Sequence, residues 1–188
     1  MPNRVAKLST SDARRDAVVD AAIAEFAEGG YHSTPITKVA ARAAISPAYV
    51  FKLFPSKVEL FVAALDRCYE LVERALAKGL ARADGADPEK ILYEMGGAYA
   101  ELIADRNLLL LQVHAQSASD IPEVADAVRR GLARVTDYAK GRSGAEDHQV
   151  QRFMAYGQLC HLITTLGLDS IDDDWAAILS AGIRHVKA

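Results

Sequence analysis

The stretch Ser46-Pro47-Ala48-Tyr49-Val50-Phe51-Lys52 sets a phenol and an ammonium one helical turn apart, behind a capping serine and a proline suited to a first turn. A helix starting there presents Pro47, Ala48, Tyr49 and Lys52 outward. Such side chains at a helix N-terminus suit phosphates and base edges in a DNA major groove. Bond-making chemistry has no comparable signal. There is no Gly-rich phosphate loop, nucleophile elbow, His-Glu-x-x-His or Cys-x-x-Cys pattern, and Asp172-Asp173-Asp174 reads as a solvated helix start. The chain is therefore not expected to be an enzyme. Cys68 and Cys160 are too few for a structural zinc site and read as inert thiols on apolar helix faces, so neither a metal, a cofactor nor a redox switch is expected.

A second set of residues suits a small-molecule pocket. Tyr93, Met95 and Tyr99 lie in one segment, Gln112, His114 and Gln116 in the next, and Phe153, Tyr156 and His161 in a third. Aromatic walls with a few polar groups fit a small, mostly apolar ligand, although each of these residues taken singly reads first as an ordinary, satisfied core residue. Gly96-Gly97 inside a helical pattern weakens that helix and gives a ligand room or allows a bend.

The charges point the same way. The 188 residues carry a net charge of −3, yet residues 1–57 hold eight basic and five acidic side chains, and the remainder holds 14 and 20. A basic head on an acidic body implies a polyanion partner for the head alone. Apolar residues make up 51% and charged residues 25%, which excludes a disordered or fibrous chain. No membrane span or signal peptide is evident, so a cytoplasmic location without membrane contact is expected.

Positioning these groups falls to helices, because apolar residues recur at helical spacing almost throughout and period-2 alternation is absent. Capping pairs and glycine stops predict an all-α chain of about nine helices: Asp12 to Glu28, Pro35 to Ala43, Pro47 to Phe54, Lys57 to Arg82, Pro88 to Asp105, Asn107 to Ser117, Pro122 to Lys140, Ala145 to Leu166 and Asp172 to Val186. Between Ile36 and Leu53 the pattern is a helix-turn-helix, with Val39, Ala43, Ile45, Val50 and Leu53 buried where two short helices cross. The long penultimate helix has two apolar faces. Val150, Phe153, Met154, Gly157, Cys160 and Thr164 form one, and Tyr156, Leu159, Ile163 and Leu166 the other. The last helix carries a stripe of Trp175, Ile178, Leu179, Gly182, Ile183 and Val186. A helix burying two faces is expected where a chain meets its twin. The expected dimer interface is Phe153, Gly157, Cys160 and Thr164 together with the last helix's stripe.

From Asp12 to Phe61 the chain resembles the N-terminal domain of the TetR (tetracycline-repressor) family of transcriptional regulators. The resemblance rests on Ala21-Ala22 with Phe26, the turn Glu28-Gly29-Gly30-Tyr31, Thr34, Val39-Ala40, Ile45-Ser46, Phe54 with Lys57, and Leu60. It implies a helix-turn-helix DNA-binding domain over residues 11–71, with the motif at about 34–54, and a ligand-binding and dimerisation domain over 72–188. It also implies a homodimer on a palindromic DNA operator, released by a small-molecule effector that shifts the fourth helix. A DNA-binding regulator controlled by a protein partner or by abundance is the alternative.

Carried over by position, the resemblance implies backbone contacts from Thr34, Thr37 and Lys38, and a phosphate contact from Lys57. Ser46, Pro47, Ala48, Tyr49 and Lys52 would face the groove, and Arg4 and Lys7 would lie in an N-terminal arm. Two positions depart from the family. Ala44 stands where it usually has glycine, and must take a left-handed conformation or widen the turn. Phe51 stands where it usually has a tyrosine whose hydroxyl touches a DNA phosphate.

Overall fold

Capping side chains and prolines mark most of the helix starts along residues 10–184, the span that the computed structural model describes. Helix α1 is Thr10–Ser33, α2 Ile36–Arg42, α3 Pro47–Leu53, α4 Lys57–Ala83, α5 Pro88–Ile103, α6 Arg106–Ser117, α7 Pro122–Ser143, α8 Asp147–Leu166 and α9 Asp174–Ser180, with a 3-10 turn at Leu168–Ser170. No strand occurs among the described residues. Ser46 accepts from the Tyr49 amide and Ser56 from the Glu59 amide, both at 3.2 Å, and Asp87 accepts from the Glu89 and Lys90 amides at 3.0 and 3.1 Å. Each occupies donors that a first turn leaves open.

Two helices differ from their sequence reading. α1 continues past the expected stop, but Gly30 sits at φ 69°, ψ 177°, so the last turn to Ser33 is offset by a kink. α9 is far shorter than expected: it ends at Ser180, Ala181 is extended, and Gly182 takes φ +74°. The chain then turns back over α5 instead of adding further turns. Val186 of the expected stripe, and the arm residues Arg4 and Lys7, lie outside the described residues.

The buried residues fall into two main clusters that meet on α4. The first joins Val18, Phe26, Val39, Val50 and Phe54 to Leu60, Phe61, Leu65 and Cys68, and takes in Leu108, Leu111, Ala115, Val124 and Ala127 from α6 and α7. The second begins at Tyr69 and holds Val72, Leu76, Leu92, Met95, Val135 and Val150. Head and body are therefore not separate packing units, because α6 and α7 complete the head's core. α4 runs through both clusters as one 27-residue rod, and α6 packs along α1.

Candidate nucleic-acid interface and body cavity

The turn between α2 and α3 is set by Ala44. Its φ is +54°, the left-handed conformation, and the Ile45 amide donates to the Ala40 carbonyl at 3.0 Å while the Ala44 amide donates to the Ala41 carbonyl at 3.1 Å. This is a Schellman closure built on alanine where glycine carries no steric penalty. The turn is not widened, and α3 leaves α2 at the geometry a glycine would give.

α3 is then fixed at both ends. Ser46 caps its start, and Arg15 of α1 donates to the Leu53 carbonyl at 2.6 Å while its guanidinium lies 4.0 Å over the Phe54 ring. Arg42 of α2 pairs with the buried Glu25 of α1 at 2.6 Å, holding the second helix to the first. On the outer surface Thr37, Lys38, Ser46, Pro47, Ala48 and Lys52 are exposed, Tyr49 is half-buried, and Phe51 is 46% exposed. Arg14 of α1 and Lys52 approach the Tyr49 ring at 5.8 and 6.0 Å, so the end of α3 carries two cations around one phenol. Arg14 escaped the sequence reading because it lies 35 residues from its ring partner, a separation no local pattern reveals.

Two residues of the expected DNA set are committed elsewhere. Thr34 is 1% exposed and its hydroxyl donates to the Glu25 carbonyl at 3.1 Å, so its side chain fastens α1 to the start of α2. Lys57 donates to the His32 carbonyl at 3.2 Å and sits 4.8 Å over the Tyr31 ring; partial burial lowers its pKa. Its ammonium locks the first turn of α4 to the end of α1.

In the body, a cavity of about 170 Å³ opens between α4, α5, α7 and α8. Of the expected pocket residues it is lined by Tyr93, Tyr99, Gln112, Phe153 and Tyr156. The remainder of that set lies elsewhere. Met95 is fully buried against α4, where Gly79 lets the two helices touch. His114 rests against Gly30 at the α1 kink, and Gln116 is exposed and bonded to Gln158 at 3.0 Å. His161 lies behind Tyr99, its Nε2 2.5 Å from the phenol oxygen.

The lining also includes Tyr69 and Val72 of α4, which no sequence signal separates from ordinary core positions, and Gly96 and Gly97 of α5, which remain helical without a bend. Gly131 of α7 is required by Tyr69, since a Cβ there would fall 2.2 Å from the ring. Arg184, beyond α9, closes one side of the cavity: it pairs with Glu94 at 3.0 and 3.2 Å and lies 4.1 Å over the Tyr93 ring. Lys90 also pairs with Glu94, at 2.8 Å, and the two cations hold that carboxyl down at about 2.

Three of the expected dimer residues on α8, Phe153, Gly157 and Cys160, face this cavity, and Thr164 is half-buried. Away from the cavity Leu162 and Leu166 of α8 are 54% and 63% exposed, Tyr156 is 48% exposed at the cavity's edge, and Trp175 and Ile178 of α9 are 50% and 73% exposed. Leu179 is half-buried, Gly182 is exposed, and Ile183 packs inward on the cluster of Ile103, Leu109 and Cys160. No group of three or more His, Cys, Asp or Glu is placed to hold a metal ion among the described residues, and no helix there is long and apolar enough to cross a membrane.

Residues 18–64 match the family model described as "Bacterial regulatory proteins, tetR family". This match and the relatives that follow support a TetR-family transcriptional regulator. The HTH-type transcriptional repressor KstR of Mycobacterium tuberculosis is 26% identical over 179 residues, covering 91% of this chain and 79% of that protein. The same fold is found in FadR of Bacillus subtilis, solved in complex with stearoyl-CoA (TM-score 0.70, 16% identity, 90% of this chain and 99% of that one). It is found again in the multidrug binding protein EbrR complexed with proflavin (TM-score 0.59, 23% identity, 89% and 98%). The matched residues run from α1 through α2 and α3 into the first turns of α4.

Proposed function

We propose that this TetR-family regulator is a repressor that binds a palindromic operator as a homodimer and leaves it when a small, mostly apolar molecule enters the body cavity. The observation that carries the reading is that α4 begins inside the head at Lys57 and forms a cavity wall at Tyr69 and Val72. A ligand that displaces those side chains moves the helix on which the head is mounted. α6 offers a second route, since Gln112 lines the cavity and His114, half a turn on, lies against the α1 kink. Coupling of this kind requires that the ligand bind the two head spacings with different affinity.

Several further features support the reading. The exposed apolar side chains Leu162, Leu166, Trp175 and Ile178 suit a two-fold contact, and a dimer on a palindrome would present two α3 helices about one DNA turn, ~34 Å, apart. KstR is named a repressor, and FadR and EbrR were solved with ligands. The cavity favours a ligand-responsive protein over one controlled by abundance alone.

A fluorescence-anisotropy titration against a labelled duplex from upstream of the chain's own gene, beside a scrambled duplex at several salt concentrations, tests it. Specific binding with a steep salt dependence is expected. Equal affinity for both duplexes, followed by no enrichment from a random-sequence pool, would refute it.

A further inference from the structure

The cavity lining holds hydrogen-bonding capacity that the protein itself leaves unused. Tyr69 is 6% exposed, lines the cavity, and has no hydrogen-bond partner for its hydroxyl among the described residues. That hydroxyl is not one of the polar atoms sealed in the core, so it stands open to the cavity, where water or a ligand can pair with it. Tyr99 also lines the cavity, with its oxygen 2.5 Å from His161 Nε2 and 3.3 Å from Gln112 Oε1. The Gln112 amide nitrogen donates to the Leu108 carbonyl at 3.1 Å, which turns Oε1 toward Tyr99 as an acceptor. The single Tyr99 proton therefore goes to Gln112 or to His161, and in either case the phenol oxygen keeps a lone pair. Tyr69 has a proton to give and Tyr99 has a lone pair to receive one.

The buried lining is also without charge. Burial pushes the Tyr69 phenol up to about 12 and the Cys160 thiol to about 11, raises Tyr99, and holds His161 neutral with a pKa of about 4. The ionised groups, Glu89, Arg152 and Arg184, are exposed at the rim, and the arginines are paired with Glu89 and Glu94. A carboxylate entering this space would lose its hydration and meet the lone pair of Tyr99, and an ammonium would find no buried carboxylate.

We infer that the cavity selects an uncharged, largely apolar molecule carrying a hydroxyl, whose oxygen accepts from Tyr69 and whose proton is donated to Tyr99. The inference rests on the reading of this cavity as the effector site. His161 and Gln112 act as positioning residues that fix the Tyr99 proton on the protein side. An ether or ketone of the same shape satisfies Tyr69 only.

The test is a ligand-observed NMR titration of the full chain with 4-butylphenol, 4-butylanisole, butylbenzene and 4-butylbenzoate. It is repeated with Tyr69→Phe and Tyr99→Phe, which keep each ring and its packing. The phenol is expected to bind about tenfold more tightly than butylbenzene, with the anisole between, from two added hydrogen bonds. Each Phe variant should reduce that preference to about threefold, and the double variant should abolish it, while leaving butylbenzene affinity unchanged. Equal binding of the three neutral probes, tightest binding of the benzoate, or a phenol preference that survives in the double variant would overturn the inference while leaving the effector site standing. Binding of none of the four would overturn the effector-site reading, and the inference with it.

Discussion

Ala44→Gly should stabilise the protein. A non-glycine residue held at φ +54° carries a penalty of roughly 1–2 kcal/mol, because its Cβ crowds the following carbonyl. Glycine removes that penalty but adds backbone freedom to the unfolded chain, which costs about 0.5–1 kcal/mol. The net gain is about 1 kcal/mol, a factor of about five in the folded ratio, or about 2–4 °C in Tm for a chain of this length. The hydrogen bonds from Ala44 and Ile45 that close the turn already exist, so the substitution adds no contact that would complicate the comparison. Urea unfolding followed by circular dichroism, at one fixed protein concentration so that any self-association is held constant, reads the difference directly. Ala44→Val is the control: β-branching at positive φ should lower stability by more than glycine raises it. Operator affinity should stay within about twofold, since Ala44 is exposed and the α3 position is unchanged. A glycine variant less stable than the parent, or a valine variant equal to it, would show that the turn is not left-handed and that α3 is set by other contacts.

Lys52→Ala and Tyr49→Ala should weaken operator binding with helix content unchanged, and if Lys52 meets a phosphate its loss should reduce the salt slope by about 1 in a log–log plot of anisotropy-derived affinities. Phe51→Tyr, on a side chain 46% exposed beside Lys52, should raise operator affinity several-fold through about 1 kcal/mol from one new hydrogen bond, and no change would place residue 51 off the DNA. Gly131→Ala forces the buried Tyr69 ring out of its seat, lowering stability by about 1–3 kcal/mol in thermal melts and weakening the phenol probe. His161 has a folded-state pKa of about 4, below the unfolded value of 6.5, so the unfolded chain binds the proton first as pH falls. Stability is therefore whole above pH 6.5 and declines between 6.5 and 4, by about 3 kcal/mol in the limit, and His161→Gln should flatten that part of the urea-midpoint profile.

What the sequence made legible was the chemistry that acts over three or four residues. Ser46-Pro47 predicts the start of α3 and Asp87-Pro88 that of α5, whereas Ala44 in place of the family's glycine leaves a left-handed or a widened turn open, and the structure holds the left-handed one. Interactions across tens of residues were not legible. Thr34 reads as a DNA contact until the Glu25 carbonyl is seen to hold it, Lys57 until the His32 carbonyl does, and Arg15 shows no role until it reaches Leu53, 38 positions on.

α8 shows the limit most sharply. Apolar residues at helical spacing establish that two of its faces are covered, but periodicity does not say which face meets the chain's own body and which a twin. The expected dimer face holds Phe153, Gly157 and Cys160, whereas in the structure they face the cavity with Tyr156 at its edge, and Leu162 and Leu166 face outward. Small residues mark close packing equally well against a neighbouring helix or against a bound ligand. Gly157 lies near Tyr99 and Gly96 near Phe153, so the small side chains are where the chain makes room inside itself. On the other side of the helix the large Leu162 and Leu166, one turn apart, are exposed, as are Trp175 and Ile178 of α9. Both faces are therefore built on one helix, and a ligand pressing on Phe153 from within pushes on the same rod that would hold the two protomers together. In such an arrangement cavity occupancy and protomer spacing are coupled through α8 as well as through α4, without any separate transmitting element.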